Sequence, residues 1–203
     1  MSLKISKLIE NSLNVVDVID AKLEFSIEEK RYINSISEKV LIKKNEYVLR
    51  QDEKEEFIYF IEEGIFRYWA LDYKNKDRTF SFSLSGEFMS SSLSIQCHEP
   101  SSYNIQALVN SVVWKIKKER FVSSYPNPLN ANKMARVILE NALSNKFDWE
   151  FFFIQNTPQQ RYIVLMSKKR ELLLNVPLKY IASFLGITQQ TLSVIRKRVS
   201  RSY

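Results

Sequence analysis

The chain has 203 residues, about one large domain or two small ones, and its 45% hydrophobic content supplies a real core and excludes global disorder. No run of about 18 apolar residues suits a membrane helix, the N-terminus lacks the apolar h-region of a secretory signal, and a single cysteine, Cys97, excludes a disulfide scaffold or a four-cysteine metal or iron–sulfur site. The net charge of +7 is unevenly placed: residues 155–203 hold nine Lys/Arg against one acid, Glu171, so this tip carries +8 and residues 1–154 sum to −1. Such asymmetry points to a polyanion, nucleic acid first and an anionic membrane surface second, against the plainer reading of a solvated face. Three glycines stand where average composition gives roughly 14. None cluster, so phosphate-cradling glycine loops are absent. A reducing, cytoplasmic setting is expected.

Residues 3–22 carry apolar spacing at Leu3, Leu8, Val15, Ile19 and Leu23, which predicts a weak helix. Ser26 followed by Glu29 is a capping box that starts a second helix through about Ser35. From Val40 short β-branched and aromatic runs follow one another: KVLIKK, EYVLR, FIYFI, IFRYWAL, RTFSFSL, SYNIQALV and SVVWKI. Turn-like stretches separate them, with Gly64 and Gly86 at turn positions, and this spacing predicts a small antiparallel barrel or roll ending near Tyr125. The carboxylates Asp52, Glu53, Glu55 and Glu56 read as solvated turn residues.

Asn127–Pro128 is an N-cap with proline at the first helical position, opening a long helix to about Phe153. Its seam reads Ala131, Met134, Ile138, Ala142, Asn145, Trp149 and Phe152, three and four apart. Such a seam packs either on the chain's own barrel or against a second copy. Apolar residues on other faces (Val137, Leu139, Phe147, Phe151, Phe153) suggest both, hence a homodimer. Thr157–Pro158 repeats the capping device, so a new helix holding Tyr162, Ile163, Leu165 and Met166 starts there, with the boundary at 154–157.

Residues 178–197, LKYIASFLGITQQTLSVIRK, form two short amphipathic helices meeting at Gly186. Leu178, Ile181, Ala182 and Leu185 line the inner face of the first; Leu192, Ile195 and Val199 line that of the second. Ala182 is small where the helices approach, Ile187 plugs the junction and Thr188 caps the second helix. This is the helix-turn-helix pattern, whose second helix enters the DNA major groove. An ordinary helical hairpin is the alternative, but the motif lies inside the +8 segment.

The roll, the long helix and the C-terminal motif together resemble the Crp/Fnr family of bacterial transcription regulators, over about 40–199 and most closely at IEEG (61–64), SGEF (85–88) and 177–198. The resemblance implies an α+β chain with an N-terminal antiparallel β-roll of the cyclic-nucleotide-binding type, a dimerisation helix and a C-terminal winged helix-turn-helix. The divisions expected are 1–126, 127–156 and 157–203. Residues 170–178 are expected to supply part of the wing, and any wing after the second helix to be missing or minimal. In nucleotide-binding members a glycine–glutamate pair holds the ribose and an arginine–serine pair grips the phosphate; here Ser90–Ser91 and Ser101–Ser102 take those places, and only Ser102 matches. A phosphate without a charge-assisted partner is poorly held, so neither cyclic AMP nor cyclic GMP is expected as effector unless Arg67 or Arg78 replaces the missing charge. Any effector seat is placed at Gly86, Glu87, Ser90, Ser91 and Ser92 facing Ser101 and Ser102. No cofactor is expected: the Cys97–His98 pair reads as a loop before Pro100 rather than haem or metal ligands, and no arrangement of residues suits catalysis.

Thr188, Gln189, Gln190, Ser193, Val194, Arg196, Lys197, Arg198 and Arg201 form the candidate DNA-binding set. Glutamine pairs bidentately with adenine and Val194 suits a thymine methyl, so an A·T-richer half-site is expected, with the arginines and Lys197 on phosphates. The partners expected are double-stranded DNA, a second copy of the chain and, as a further candidate, RNA polymerase; no membrane partner is expected. The competing class is an adaptor whose β-roll binds protein and whose basic tip docks electrostatically with no sequence preference.

Overall fold

The computed structural model describes residues 4–14, 24–91, 99–123 and 125–202. Helix α1 (Lys4–Leu13) buries Ile5, Ile9 and Leu13, four apart on one face. The remaining apolar positions expected for that helix, Leu3, Val15, Ile19 and Leu23, lie outside the described residues. Helix α2 (Ile27–Ile36) starts at the capping box: the Glu29 amide donates to Ser26 Oγ at 3.2 Å and the Ser26 amide to Glu29 Oε2 at 2.8 Å.

Among the described residues eight strands follow: β1 (Ser37–Ile42), β2 (Tyr47–Leu49), β3 (Phe57–Glu63), β4 (Ile65–Leu71), β5 (Asp77–Leu84), β6 (Phe88–Met89), β7 (Asn104–Ala107) and β8 (Ser111–Lys117). They pair antiparallel in two four-stranded sheets, ordered β1-β8-β3-β6 and β2-β7-β4-β5. Leu49, Ile61, Phe66, Tyr68, Met89, Ile105, Ala107 and Val113 fill the space between them. Alternation along β4 sends Phe66 and Tyr68 into that core and leaves Ile65, Arg67 and Trp69 on the outer face. Gly64 joins β3 to β4 at φ +149°, and a Cβ there would lie 2.3 Å from Ser111 Oγ; only glycine fits the turn.

A short helix, α3 (Lys118–Ser123), replaces the extended pattern expected to continue toward Tyr125. Phe121 and Tyr125 are buried with α1 and α2. Asn127 Oδ1 accepts from the Leu129 and Asn130 amides and starts α4 (Pro128–Gln155), 28 residues or about 42 Å long. Its first turns bury Met134 and Val137 beside α1, while its last turns place Trp149 and Phe153 against Phe184. Residues 142–148 between are exposed all round.

The remaining helices are α5 (Pro158–Lys168), α6 (Arg170–Asn175), α7 (Leu178–Phe184) and α8 (Gln189–Ser202). Thr157 and Gln160 form a second capping box for α5. The expected wing segment is helical instead: RELLLN makes α6 with Leu172 buried, and no strand follows β8 among the described residues. Three consecutive leucines favour helix. No described helix is long and apolar enough to cross a membrane.

Candidate nucleic-acid interface and its link to the roll

Helices α7 and α8 meet at a turn made by Gly186, φ +72°. The Ile187 amide donates to Ala182 O at 3.0 Å and the Gly186 amide to Ser183 O at 3.1 Å, the paired bonds of a Schellman ending. Thr188 then caps α8: its Oγ1 accepts from the Thr191 amide at 3.1 Å. Leu192, Ile195 and Val199 are buried against Ile181, Ala182, Leu185, Tyr162 and Leu165. Two helices joined at Gly186, with the expected inner faces buried against each other, are therefore present.

With the buried triplet fixed inward, the opposite face of α8 presents Gln189, Gln190, Val194 and Lys197, all exposed, and the partly exposed Ser193. Ser193 Oγ donates to Gln189 O at 3.0 Å, so its hydroxyl is engaged within the helix. Arg196 and Arg198 are exposed on the two flanks; the Arg201 side chain lies outside the described residues. The capped N-terminus of α8 adds free amide dipoles to this cationic surface, which suits an anion such as a phosphate.

Helix α7 does not stand free of the roll. Phe184 packs edge-on to Phe82 of β5 with centroids 5.1 Å apart, and the Thr79 amide donates to Ser183 Oγ at 3.0 Å. β5 is an edge strand, so α7 covers the amides that a second sheet would otherwise seek. Arg67 anchors the same contact. It is buried, bonded to Gln106 Oε1 (3.0 Å), Asp77 Oδ1 (2.8 Å) and Thr79 Oγ1 (3.2 Å), and its guanidinium lies 3.7 Å from the Tyr180 ring centroid on α7 and 4.8 Å from that of Trp69. Lys169 Nζ reaches Glu87 Oε1 at 3.2 Å. Residues of the roll and of α5–α8 thus share one apolar cluster.

The structure places the residues of the expected effector seat as follows. Arg67 points out of the roll, bonded to Gln106, Asp77 and Thr79, and Arg78 pairs with Asp72 at 2.8 Å, so neither supplies a charge for a phosphate inside it. Glu87 bonds the Leu84 amide and Lys169. Gly86 is exposed, its amide bonded to Ile61 O. Ser90 and Ser91 turn instead to Glu55: Ser90 Oγ and the Ser91 amide each donate to its Oε2 at 2.8 Å, and Lys118 Nζ lies 3.2 Å away. Glu55 is therefore a buried acid and not the solvated turn residue that the QDEKEE run suggested. Burial pushes its carboxyl above the usual range, opposed by the bonds from Ser90, Ser91 and Lys118. Ser91 Oγ is buried with no hydrogen-bond partner among the described residues. Ser101 Oγ is taken up by its own turn, donating to Tyr103 O at 2.8 Å, and Ser102 is exposed. Ser92, Cys97 and His98 lie outside the described residues. Among the described residues no His, Cys, Asp or Glu group could hold a metal.

The long helix corrects the expected seam as well. Ala131, Met134 and Ile138 face α1 and α2 of the same chain, and Trp149 faces Phe184. Ala142 and Asn145 lie on the same side in the exposed middle stretch. The uncovered apolar residues are on the opposite side: Leu139, Leu143, Phe147, Phe151 and Ile154, between 44% and 80% exposed. They run four, four, four and three residues apart, one continuous stripe.

Residues 39–125, the roll, match the family model described as the cyclic nucleotide-binding domain. No curated protein sequence matches the chain. Among solved structures, FixK2 from Bradyrhizobium japonicum shares the fold with a TM-score of 0.69 at 18% identity, covering 82% of this chain and 86% of its own. The c-di-GMP-responsive global regulator CLP of Xanthomonas campestris matches with 0.68 at 13% identity, over 87% of this chain and 93% of its own. The Catabolite Activator Protein of Thermus thermophilus matches with 0.53 at 14% identity, over 88% and 85%. The likeness extends beyond the roll to most of the chain and establishes the fold: a cyclic-nucleotide-binding-type roll, a long helix and a helical C-terminal unit.

Proposed function

We propose that this chain is a sequence-specific DNA-binding transcription regulator of the Crp/Fnr type, working as a homodimer in the cytoplasm rather than as an enzyme. The observation that carries the reading is α8: capped by Thr188, seated by Leu192, Ile195 and Val199, and exposing glutamines and cations inside a +8 segment. A helix held so enters the major groove with Gln189 and Gln190 near base edges and Arg196, Lys197, Arg198 and Arg201 toward phosphates. Two glutamines favour adenine, and Val194 favours a thymine methyl. The stripe from Leu139 to Ile154 pairs with its two-fold mate, and α4 sets the spacing of two half-sites at about 34 Å. RNA polymerase is the partner that the regulatory role then implies.

The roll acts as the sensing unit for an effector that is not cyclic AMP or cyclic GMP. The serine pairs bring no charge, the free arginines are committed elsewhere and a buried acid, Glu55, stands beside Ser90 and Ser91. CLP, of the same fold, is described as responsive to c-di-GMP, so the fold is not tied to one nucleotide. Selection of bound duplexes from a random pool tests the reading. A regulator returns one palindromic A·T-rich consensus; an adaptor returns none.

A further inference from the structure

We infer that Arg161, near the start of α5, is the positioning residue that fixes how the reading helix α8 is aimed from the end of α4. The inference rests on the DNA-binding reading above for its consequence but not for its geometry. A helix end leaves its last carbonyls unbonded and carries the negative end of the dipole. Arg161 answers three such groups from three places. Its Nη2 donates to Phe153 O in the last turn of α4, its Nε to Asn156 O in the link (2.9 Å), and its Nη1 to Leu185 O at the end of α7 (3.0 Å). Its guanidinium also lies 4.9 Å from the Phe153 ring centroid, and Phe153 packs on Phe184 of α7. One planar fork thereby ties α4, the link and the turn of the helix-turn-helix.

The joint matters because small angles there become base-pair steps. α8 has 14 residues and spans about 21 Å. A tilt of about 10° at its base carries its far end by about 3.5 Å, one base-pair rise in a helical turn of ~34 Å. In a two-fold dimer both joints contribute, so loosening them changes the half-site separation that fits rather than the bases that are read. A lysine cannot replace the fork, since a point charge on a flexible stem does not hold three carbonyls in one plane.

The test compares wild type with Arg161→Ala and Arg161→Lys on the selected half-site, presented in pairs with the spacer lengthened or shortened by one and two base pairs. Wild type prefers one spacer; both variants keep the half-site sequence, and their preference over adjacent spacers falls about tenfold, the scale of one charge-assisted hydrogen bond. A variant that keeps the wild-type spacer preference, whatever its overall affinity, overturns the inference. A second readout is independent of DNA. Spin labels at Asn145→Cys on α4 and Ser200→Cys on α8, with Cys97→Ser and diluted by unlabelled protein, report the within-chain distance. A narrow distribution that broadens in Arg161→Ala, or in Arg161→Lys should the alanine variant not fold, supports the joint, and an unchanged one rejects it. A wild type that selects no sequence while the distances behave as stated removes the DNA reading and leaves the joint.

Discussion

Replacing Phe147 by aspartate strikes the centre of the exposed stripe on α4 without touching the chain's own core. Phe147 is 50% exposed, and the five stripe residues average about the same or more. Fully burying such a side chain is worth about 1.5–3 kcal/mol, so covering the exposed half of each contributes roughly 1 kcal/mol, or about 10 kcal/mol for ten residues across a two-fold interface. Association costs an estimated 4–15 kcal/mol in lost freedom, so the surplus is modest. Phe147→Asp removes about 2 kcal/mol of burial from the two copies and adds two carboxylates whose desolvation costs more. The expected weakening is at least 100-fold in the dimer Kd, about 3 kcal/mol. Sedimentation velocity across a micromolar dilution series reads it, and thermal unfolding of the diluted protein controls for folding. Ile138→Asp, on the side that packs beside α1 and α2, should instead lower Tm. A Phe147→Asp protein that sediments as an unchanged dimer would refute the placing of the interface on this stripe.

Four further outcomes follow from the same structure. Gln190→Ala costs roughly 1–3 kcal/mol on the selected duplex and relaxes one base position, whereas Arg196→Ala weakens all duplexes alike and lowers the salt slope by about 0.9; fluorescence anisotropy at several salt concentrations separates the two. Isothermal calorimetry with cyclic AMP and cyclic GMP is expected to give no heat at micromolar concentrations, since Ser91 and Ser101 stand where the family resemblance implies an acid and an arginine. Gly64→Ala is destabilised by more than about 1 kcal/mol in a denaturant titration, because the φ of +149° and the 2.3 Å approach of Ser111 Oγ both act against a Cβ. Glu55 titrates above its usual range in the folded chain, so the folded state holds its proton more tightly than the unfolded one. The stabilisation from this proton is present below about pH 4.5 and is lost as pH rises through the folded pKa. Wild type therefore loses Tm relative to Glu55→Gln across that window, and parallel Tm curves would contradict it.

What the sequence made legible was chemistry that acts within a few residues. The Ser26–Glu29 box and the Asn127–Pro128 and Thr157–Pro158 starts are local devices, and each begins a helix where the residues put it. The two helices meeting at Gly186 were readable for the same reason, since Ala182, Gly186 and Thr188 each have one steric or bonding task within a turn. What stayed hidden depends on which element lies across a gap. A helix with apolar residues on two sides does not reveal which side meets its own roll, so Met134 and Ile138 read as a partner face and Leu139, Leu143 and Phe147 did not. Arg67 on an alternating strand signals only that it faces outward; Tyr180, 113 residues later, buries it. Glu55 in an acidic run reads as solvated because Ser90, Ser91 and Lys118 are remote in the chain. Arg161 gives no motif at all: its three acceptors are backbone carbonyls, which every residue has.

Whether α8 reads a base sequence or docks on charge alone is decided by one ratio: the affinity for the selected duplex over that for a scrambled duplex of equal length and composition, at physiological salt. Specific readers of this kind discriminate by about 10³ or more. A ratio of that order is expected, lowered about fivefold or more by Gln190→Ala. Equal affinities for the two duplexes, both falling alike with salt, would contradict it.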